Sequence, residues 1–174
     1  QDYVVVGATP QDMLDKGFTE VGNDFPVFLC PDTNNEFALA RTERKTGPKH
    51  TGFEVDIQDI TLEQDLERRD LTMNSIALSS DGNYIDPFCG IRDIKNCIIR
   101  HTSNAFSEDP LRVLRVARFM ARFSHMGFTV HSSTMELMKN MVERGDLRSL
   151  TTERVWKETV RALGEKTPHT FFIT

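Results

Sequence analysis

The sequence lacks the features that would mark a secreted or membrane-embedded protein. No apolar run approaches the roughly 20 residues a membrane helix needs, and the N-terminus lacks the charged-then-apolar pattern of a secretory signal. Only three cysteines are present, Cys30, Cys89 and Cys97. Their odd number and unpaired spacing argue against a disulfide framework or a zinc site and for free thiols in a reducing, cytoplasmic compartment. Five scattered histidines supply no metal-ligand pair, and neither internal repeats nor low-complexity tracts occur. What remains is ordinary globular composition, 39% hydrophobic and 27% charged, in 174 residues. Such a chain is expected to be soluble, with one good core or two small ones.

Charge is unevenly divided. Residues 1–67 hold 14 acidic side chains against 5 basic ones, whereas residues 68–174 hold 12 against 16, so the net charge of -5 hides an acidic first part and a basic second part. That asymmetry fits an acidic, metal-binding region joined to a basic region that faces a polyanion, and it equally fits plain drift between two lobes.

The expected elements follow from pattern. Tyr3-Val4-Val5-Val6 before Gly7 reads as a buried strand, and Thr9-Pro10-Gln11-Asp12 opens a helix with Thr9 as its cap, running to Gly17. Strands are expected at Phe25–Leu29 and Glu36–Thr42, joined by the turn-rich Pro31–Asn35. Lys45–Gly52 has a loop's composition, with cations that could touch RNA. A helical pattern follows over Thr61–Leu78, then a tight turn at Asp81-Gly82-Asn83 and strands near Tyr84–Asp86 and Cys97–Arg100. Helices are expected at 109–124, 132–144 and 152–164, with Gly145 closing the second, Thr151 or Thr152 capping the third, and residues 168–173 beginning another.

Chemistry concentrates in the run from Glu108 to Phe123, where Arg112, Arg115, Arg118 and Arg122 recur on helical spacing. At 100° per residue they fall within roughly a third of the circumference, and Val113, Leu114, Val116, Ala117, Met120 and Ala121 cover most of the rest. The result is a core helix with a basic ledge. Planar guanidinium forks suit triphosphate oxygens and base edges, although a solvated helix face would show the same spacing.

Three further motifs accompany the ledge: Arg68-Arg69-Asp70-Leu71-Thr72-Met73-Asn74-Ser75, then Asp86-Pro87-Phe88-Cys89-Gly90-Ile91-Arg92-Asp93, and downstream Thr152-Glu153-Arg154-Val155-Trp156-Lys157-Glu158. In this order and spacing, the motifs resemble the class II tRNA nucleotidyltransferases, which comprise the CCA-adding enzymes and their bacterial poly(A) polymerase relatives. The resemblance runs from Asp2 to about residue 163. The stretches Gly22–Leu29 and Ala38–Lys45 look most like the CCA-adding branch found in gamma-proteobacteria.

The resemblance implies an α/β nucleotidyltransferase head with a small mixed β-sheet of the DNA polymerase beta superfamily, followed by an all-helical neck, with head 1–103 and neck 104–174. It implies addition of CCA to the 3′ end of tRNA from CTP and ATP, released diphosphate, and Mg²⁺ as cofactor, with no membrane partner. Asp2 matches the second carboxylate of the family's metal-binding pair. The first would lie just before Gln1, together with a glycine phosphate loop, so the segment alone is expected to bind nucleotide weakly and turn over little.

Glu36 matches a third, supporting acid, and a solvated strand-start glutamate is its plain alternative. Arg69 is implied at the triphosphate, and Asp70 and Asn74 at the sugar and its loop. Asp109 and Arg112 are implied to pair with the base edges of C and A in place of a template, and Arg115 and Arg118 to contact triphosphate or base. Asp109 before Pro110 is also a good helix start. The Asp86–Asp93 motif reads as a turn first, with Asp93 as a helix-start acid. Glu153, Arg154 and Glu158 read as a scaffold bracing the ledge helix. The alternatives are poly(A) addition and a non-catalytic RNA- or nucleotide-binding module.

Overall fold

The computed structural model describes residues 2–21, 27–45, 53–56 and 60–174. Contacts divide the chain into two compact units, residues 1–66 and 67–174. The head and neck expected from the family divide instead after residue 103, a division by motif rather than by packing. The two differ because Leu71, Ile99 and Phe106 share one core with residues up to Met141.

In the first unit, β1 (Asp2–Val5) leads into α1 (Pro10–Asp15). Thr9 caps α1 with a reciprocal box: the Asp12 amide donates to the Thr9 hydroxyl at 3.2 Å, and the Thr9 amide donates to the Asp12 carboxylate at 2.8 Å. Next come β2 (Thr19–Val21), β3 (Val27–Leu29) and β4 (Glu36–Leu39). The sheet order is β1-β4-β3-β2, with β1 parallel to β4 and the other pairs antiparallel, so the expected mixed sheet is present. Asn34, at φ 55°, makes the tight turn between β3 and β4. One face of the sheet and α1 bury Met13, Phe28 and Leu39, with Val5, Ala8, Phe18 and Phe37 around them.

Two further strands, β5 (Thr42–Lys45) and β6 (Phe53–Asp56), pair antiparallel. They and β2 were not expected from the pattern, being only three or four residues long. The loop expected at Lys45–Gly52 lies, after Lys45, outside the described residues, as does the start of the strand expected from Phe25.

The helix expected over Thr61–Leu78 is broken into α2 (Leu62–Glu67), a 3₁₀ turn at Thr72–Asn74 and β7 (Ala77–Leu78). The break has a local cause. Asp70 accepts the Leu71 amide on its own carboxylate, and Leu71 pairs with His101, so the backbone finds partners other than a helix.

In the second unit, β7 pairs with β8 (Tyr84–Ile85) across the expected Asp81–Asn83 turn, where Gly82 takes φ +84°. Next come α3 (Gly90–Lys95), β9 (Ile98–Ile99), α4 (Leu111–Phe123), β10 (Thr129–Val130), α5 (Ser132–Glu143), α6 (Thr152–Leu163) and α7 (Thr170–Ile173). Thr151 caps α6, and Gly145 ends α5 at φ +78°. The core joins Leu71, Ile99 and Phe106 to Val113, Val116, Phe119, Phe128, Met138 and Met141. Burial at about 1.5–3 kcal/mol for each large side chain makes α4 the central member, packed against α6 and α7. No helix among the described residues is long and apolar enough to cross a membrane.

Candidate nucleotide and metal sites

Each unit holds some of the residues expected at the site. In the first, the parallel register places Asp2 opposite Glu36 at the starts of β1 and β4. Register partners on adjacent strands lie about 5 Å apart with side chains on the same face. Both residues are exposed, and neither carboxylate has a hydrogen-bond or ion-pair partner among the described residues. Two hydrated carboxylates side by side suit a hard divalent cation, which takes oxygen donors and is commonly held by one or two carboxylates plus phosphates. Among the described residues no cluster of three or more His, Cys, Asp or Glu side chains forms a fuller metal cage.

In the second unit, the Arg68–Ser75 segment and α4 lock together. Asp70, only 7% exposed, accepts the Leu71 amide and Asn74 Nδ2 on Oδ1, both at 2.9 Å, and Arg115 Nε on Oδ2 at 2.7 Å. Burial pushes this carboxyl up, but the Arg115 charge, the bonds from Asn74 and Arg115 and the nearby Arg112 charge outweigh it, so the net shift is downward and Asp70 stays ionised. Arg69 donates to the Asn74 carbonyl at 3.0 Å, closing the same turn. Arg112 donates one terminal nitrogen to the Ala105 carbonyl at 2.7 Å and the other to the Arg68 carbonyl at 2.6 Å. Thus Arg69, Asp70, Asn74, Arg112 and Arg115 belong to one bonded group.

Arg115 commits its Nε to Asp70 and lies over the Phe119 ring at 5.9 Å, and its terminal nitrogens have no hydrogen-bond partner among the described residues, with 32% of the side chain exposed. Arg118 is different. It is 8% exposed, lies over the Phe119 ring at 4.6 Å, and donates Nε to Glu158 of α6 at 2.6 Å. The ledge is therefore not one uniform surface, because its third arginine turns inward toward a buried acid.

Asp109 starts α4 as its sequence context suggests. Oδ1 accepts the Leu111 amide at 3.1 Å, and Oδ2 accepts Arg154 of α6 at 2.7 Å. It meets Arg112 through the backbone, where the Arg112 amide donates to the Asp109 carbonyl at 3.0 Å. Arg154 and Glu158 do brace α4, each by an ion pair. Glu153 does not, because it is exposed and pairs with Lys157 one turn along α6.

The Asp86–Asp93 motif carries more than a turn. Asp86 caps α3 by accepting the Gly90 and Ile91 amides at 2.6 and 2.9 Å. Asp93 is fully buried and bonds to Thr72 and Arg100. The Thr72 and Arg100 contacts were not expected from the pattern, since the exposed Ile94 and the buried Asp93 reverse the usual apolar-in order of α3 and spacing gives no sign of it.

The chain as a whole is similar to known proteins. The sequence profile described as the poly A polymerase head domain matches residues 9–100. The CCA-adding enzyme of Alteromonas mediterranea is 61% identical over 173 residues, covering 99% of this chain and 44% of that protein. A solved complex of a CCA-adding enzyme with ATP superposes with TM-score 0.75 at 28% identity, covering 98% of this chain and 39% of the other. A complex of a CCA-adding enzyme with CTP gives TM-score 0.73 at 28% identity, covering 99% and 41%. The chain spans less than half the length of the curated relatives it matches.

Proposed function

We propose, on the premise that this chain belongs to the poly A polymerase head domain family, that it serves template-independent addition of CCA to the 3′ end of tRNA from CTP and ATP, with release of diphosphate. The observation that carries the reading is the bonded group of Arg69, Asp70, Asn74, Arg112 and Arg115, in a chain matched to a CCA-adding enzyme over nearly its whole length. A buried, ionised Asp70 holding a guanidinium about a third exposed is a costly arrangement for stability alone. It is a good one for meeting phosphate or base with a fixed fork of donors.

Enzymes of this family generally use divalent metal ions, and Mg²⁺ is the ion we assign. Asp2 and Glu36 would hold it, as paired oxygen donors of the kind Mg²⁺ prefers. When bound, such an ion lowers the pKa of the attacking 3′-hydroxyl and neutralises the leaving diphosphate.

The remaining steps fall to side chains. Arg69 and Arg115 hold triphosphate oxygens, and Asp70 with Asn74 sets the sugar and its loop. Asp109 selects the base, because an ionised carboxylate only accepts: it matches the amino groups of C and A and repels the carbonyl oxygens that G and U show at the same position. Both its oxygens retain a second lone pair beyond the bonds from Leu111 and Arg154. Arg112 supplies the donors beside it. Arg118 braces α4 through Glu158 and, in this reading, adds its charge to the triphosphate site. Residues 1–103 then act as head and 104–174 as neck, in a cytoplasmic protein whose three cysteines are free thiols.

The test uses the full-length protein, tRNA lacking CCA, and labelled CTP and ATP. Addition of two C residues and then one A is the expected product. A long A tract assigns poly(A) addition instead, the second reading that the family description favours.

A further inference from the structure

Asp93 has no part in the roles assigned so far, yet it is a carboxylate only 1% exposed. Its Oδ2 accepts the Thr72 hydroxyl and Arg100 Nε, both at 2.9 Å, and its Oδ1 accepts a terminal nitrogen of Arg100 at 3.3 Å. Thr72, itself 2% exposed, also donates its amide to the Arg100 carbonyl at 2.9 Å. A third hold comes from Gly90. A Cβ there would sit 2.1 Å from the Thr72 carbonyl oxygen, so α3 lies directly against the Thr72 backbone, in a position that Asp86 fixes by capping the helix. Hydroxyl, amide and backbone surface of one residue are thus all gripped by the Asp86–Arg100 segment.

The gripped residue stands in the 3₁₀ turn between Asp70 and Asn74. That turn brings Asn74 Nδ2 back to Asp70 Oδ1 and leaves Oδ2 for Arg115. The flanking residues are tied in the same direction. The Thr102 amide donates to the Asp70 carbonyl at 3.2 Å, and the Ser75 and Thr102 hydroxyls bond at 2.9 Å. A buried carboxylate tied to a guanidinium that is 27% exposed is a poor way to gain stability, since packed apolar residues of the same size serve as well or better. What they add is directional control over one turn.

We infer that Asp93, acting through Thr72 and Arg100, is a positioning residue that sets the pitch of the 70–74 turn and so aims the Asp70 carboxylate at Arg115. Nucleotide binding then depends on a residue too deeply buried to touch nucleotide. This inference rests on the nucleotidyltransferase reading above and adds a positioning role to the site.

The experiment uses the full-length enzyme. Thr72→Val removes the hydroxyl and keeps the shape, whereas Thr72→Ser keeps the hydroxyl. Thr72→Val should raise the KM for CTP and ATP by about tenfold, the ratio that follows from losing one buried hydrogen bond, with kcat and the KM for tRNA within about twofold of wild type. Thr72→Ser should restore the wild-type KM. The titration of the Asp70 carboxyl, followed by carbon-13 NMR, should move upward in Thr72→Val and not in Thr72→Ser. Asp93→Asn, read in the same two ways, replaces Thr72→Val should that variant fail to fold.

A lowered melting temperature with unchanged nucleotide KM and unchanged Asp70 titration would overturn the inference and leave Asp93 purely structural. If the wild-type enzyme turns over neither CTP nor ATP, the nucleotidyltransferase reading fails instead. The Asp70 titration then decides the positioning claim by itself: an upward move sustains it and no move overturns it.

Discussion

The two units treat charge in opposite ways. The first builds a small core, Met13, Phe28 and Leu39 with the Tyr3–Phe37 and Phe18–Phe37 ring contacts, and leaves Asp2 and Glu36 exposed and without partners among the described residues at adjoining strand starts. The second has a larger core and sets several of its arginines against carboxylates or carbonyls: Arg100 on Asp93, Arg112 on two carbonyls, Arg115 on Asp70, Arg118 on Glu158 and Arg154 on Asp109. The difference fits the ligand proposed for each. A small hard cation brings its own geometry and needs only available oxygens, whereas a planar fork of donors recognises its target only when held still.

That contrast can be broken at several places. The largest effect is expected at Asp2. In the full-length protein Asp2→Asn should lower nucleotide incorporation by about a thousandfold while leaving the melting temperature at the wild-type value, because removing an exposed acid disturbs chemistry and not packing. A comparable loss of both would mean that the first unit's acids are structural.

Next is Glu158→Ala. It strands the buried Arg118 charge, and denaturant unfolding should show a loss of about 3 kcal/mol. A loss below about 1 kcal/mol would show that water reaches Arg118 easily and that the inward turn of the ledge has little consequence. Gly90→Ala should cost about 2 kcal/mol or more by forcing α3 off Thr72, and unfolding of the purified variant checks it.

The smallest effect concerns pH. Because the Asp70 carboxyl is held below its ordinary range, its contribution to stability is complete above about pH 4 and drains as pH falls through the lower folded value. Wild type should therefore exceed Asp70→Asn in stability at pH 6, with the gap closing as pH drops below about 4. A gap constant down to pH 2 would contradict the ionised assignment. His101 is also held below its usual value, by burial and by the Arg100 and His131 charges, so its contribution is present above about pH 6.5 and is lost as acid is added.

Much of this molecule was readable from pattern because local signals agreed with the fold. Thr9, Gly82, Gly145 and Thr151 mark caps and turns that the structure contains, and the apolar spacing of residues 111–123, 132–143 and 152–163 gives three helices within a residue or two of their observed ends. The pattern failed where side chains competed with the backbone. Residues 61–78 carry a helical spacing, but Asp70, Asn74 and Ser75 take up local donors and carbonyls and break it. Nor did spacing distinguish Arg115 from Arg118. Both lie on one helix face, and only the position of Glu158 on a distant helix turns one of them inward. The Asp93–Thr72–Arg100 contacts were illegible for the same reason: they join residues 21 and 7 positions apart through a turn the helical pattern concealed.

The central proposal is that Arg112 and Arg115 of α4 form a nucleotide seat held in place by the 68–74 segment. Calorimetric titration of CTP and ATP into the full-length protein, wild type against the double variant Arg112→Met, Arg115→Met, tests it directly. Affinity for both nucleotides should fall by about a hundredfold, the sum of two charge-assisted contacts, with the near-ultraviolet circular dichroism of the folded protein retained. Nucleotide affinity equal to wild type in that folded variant would contradict it.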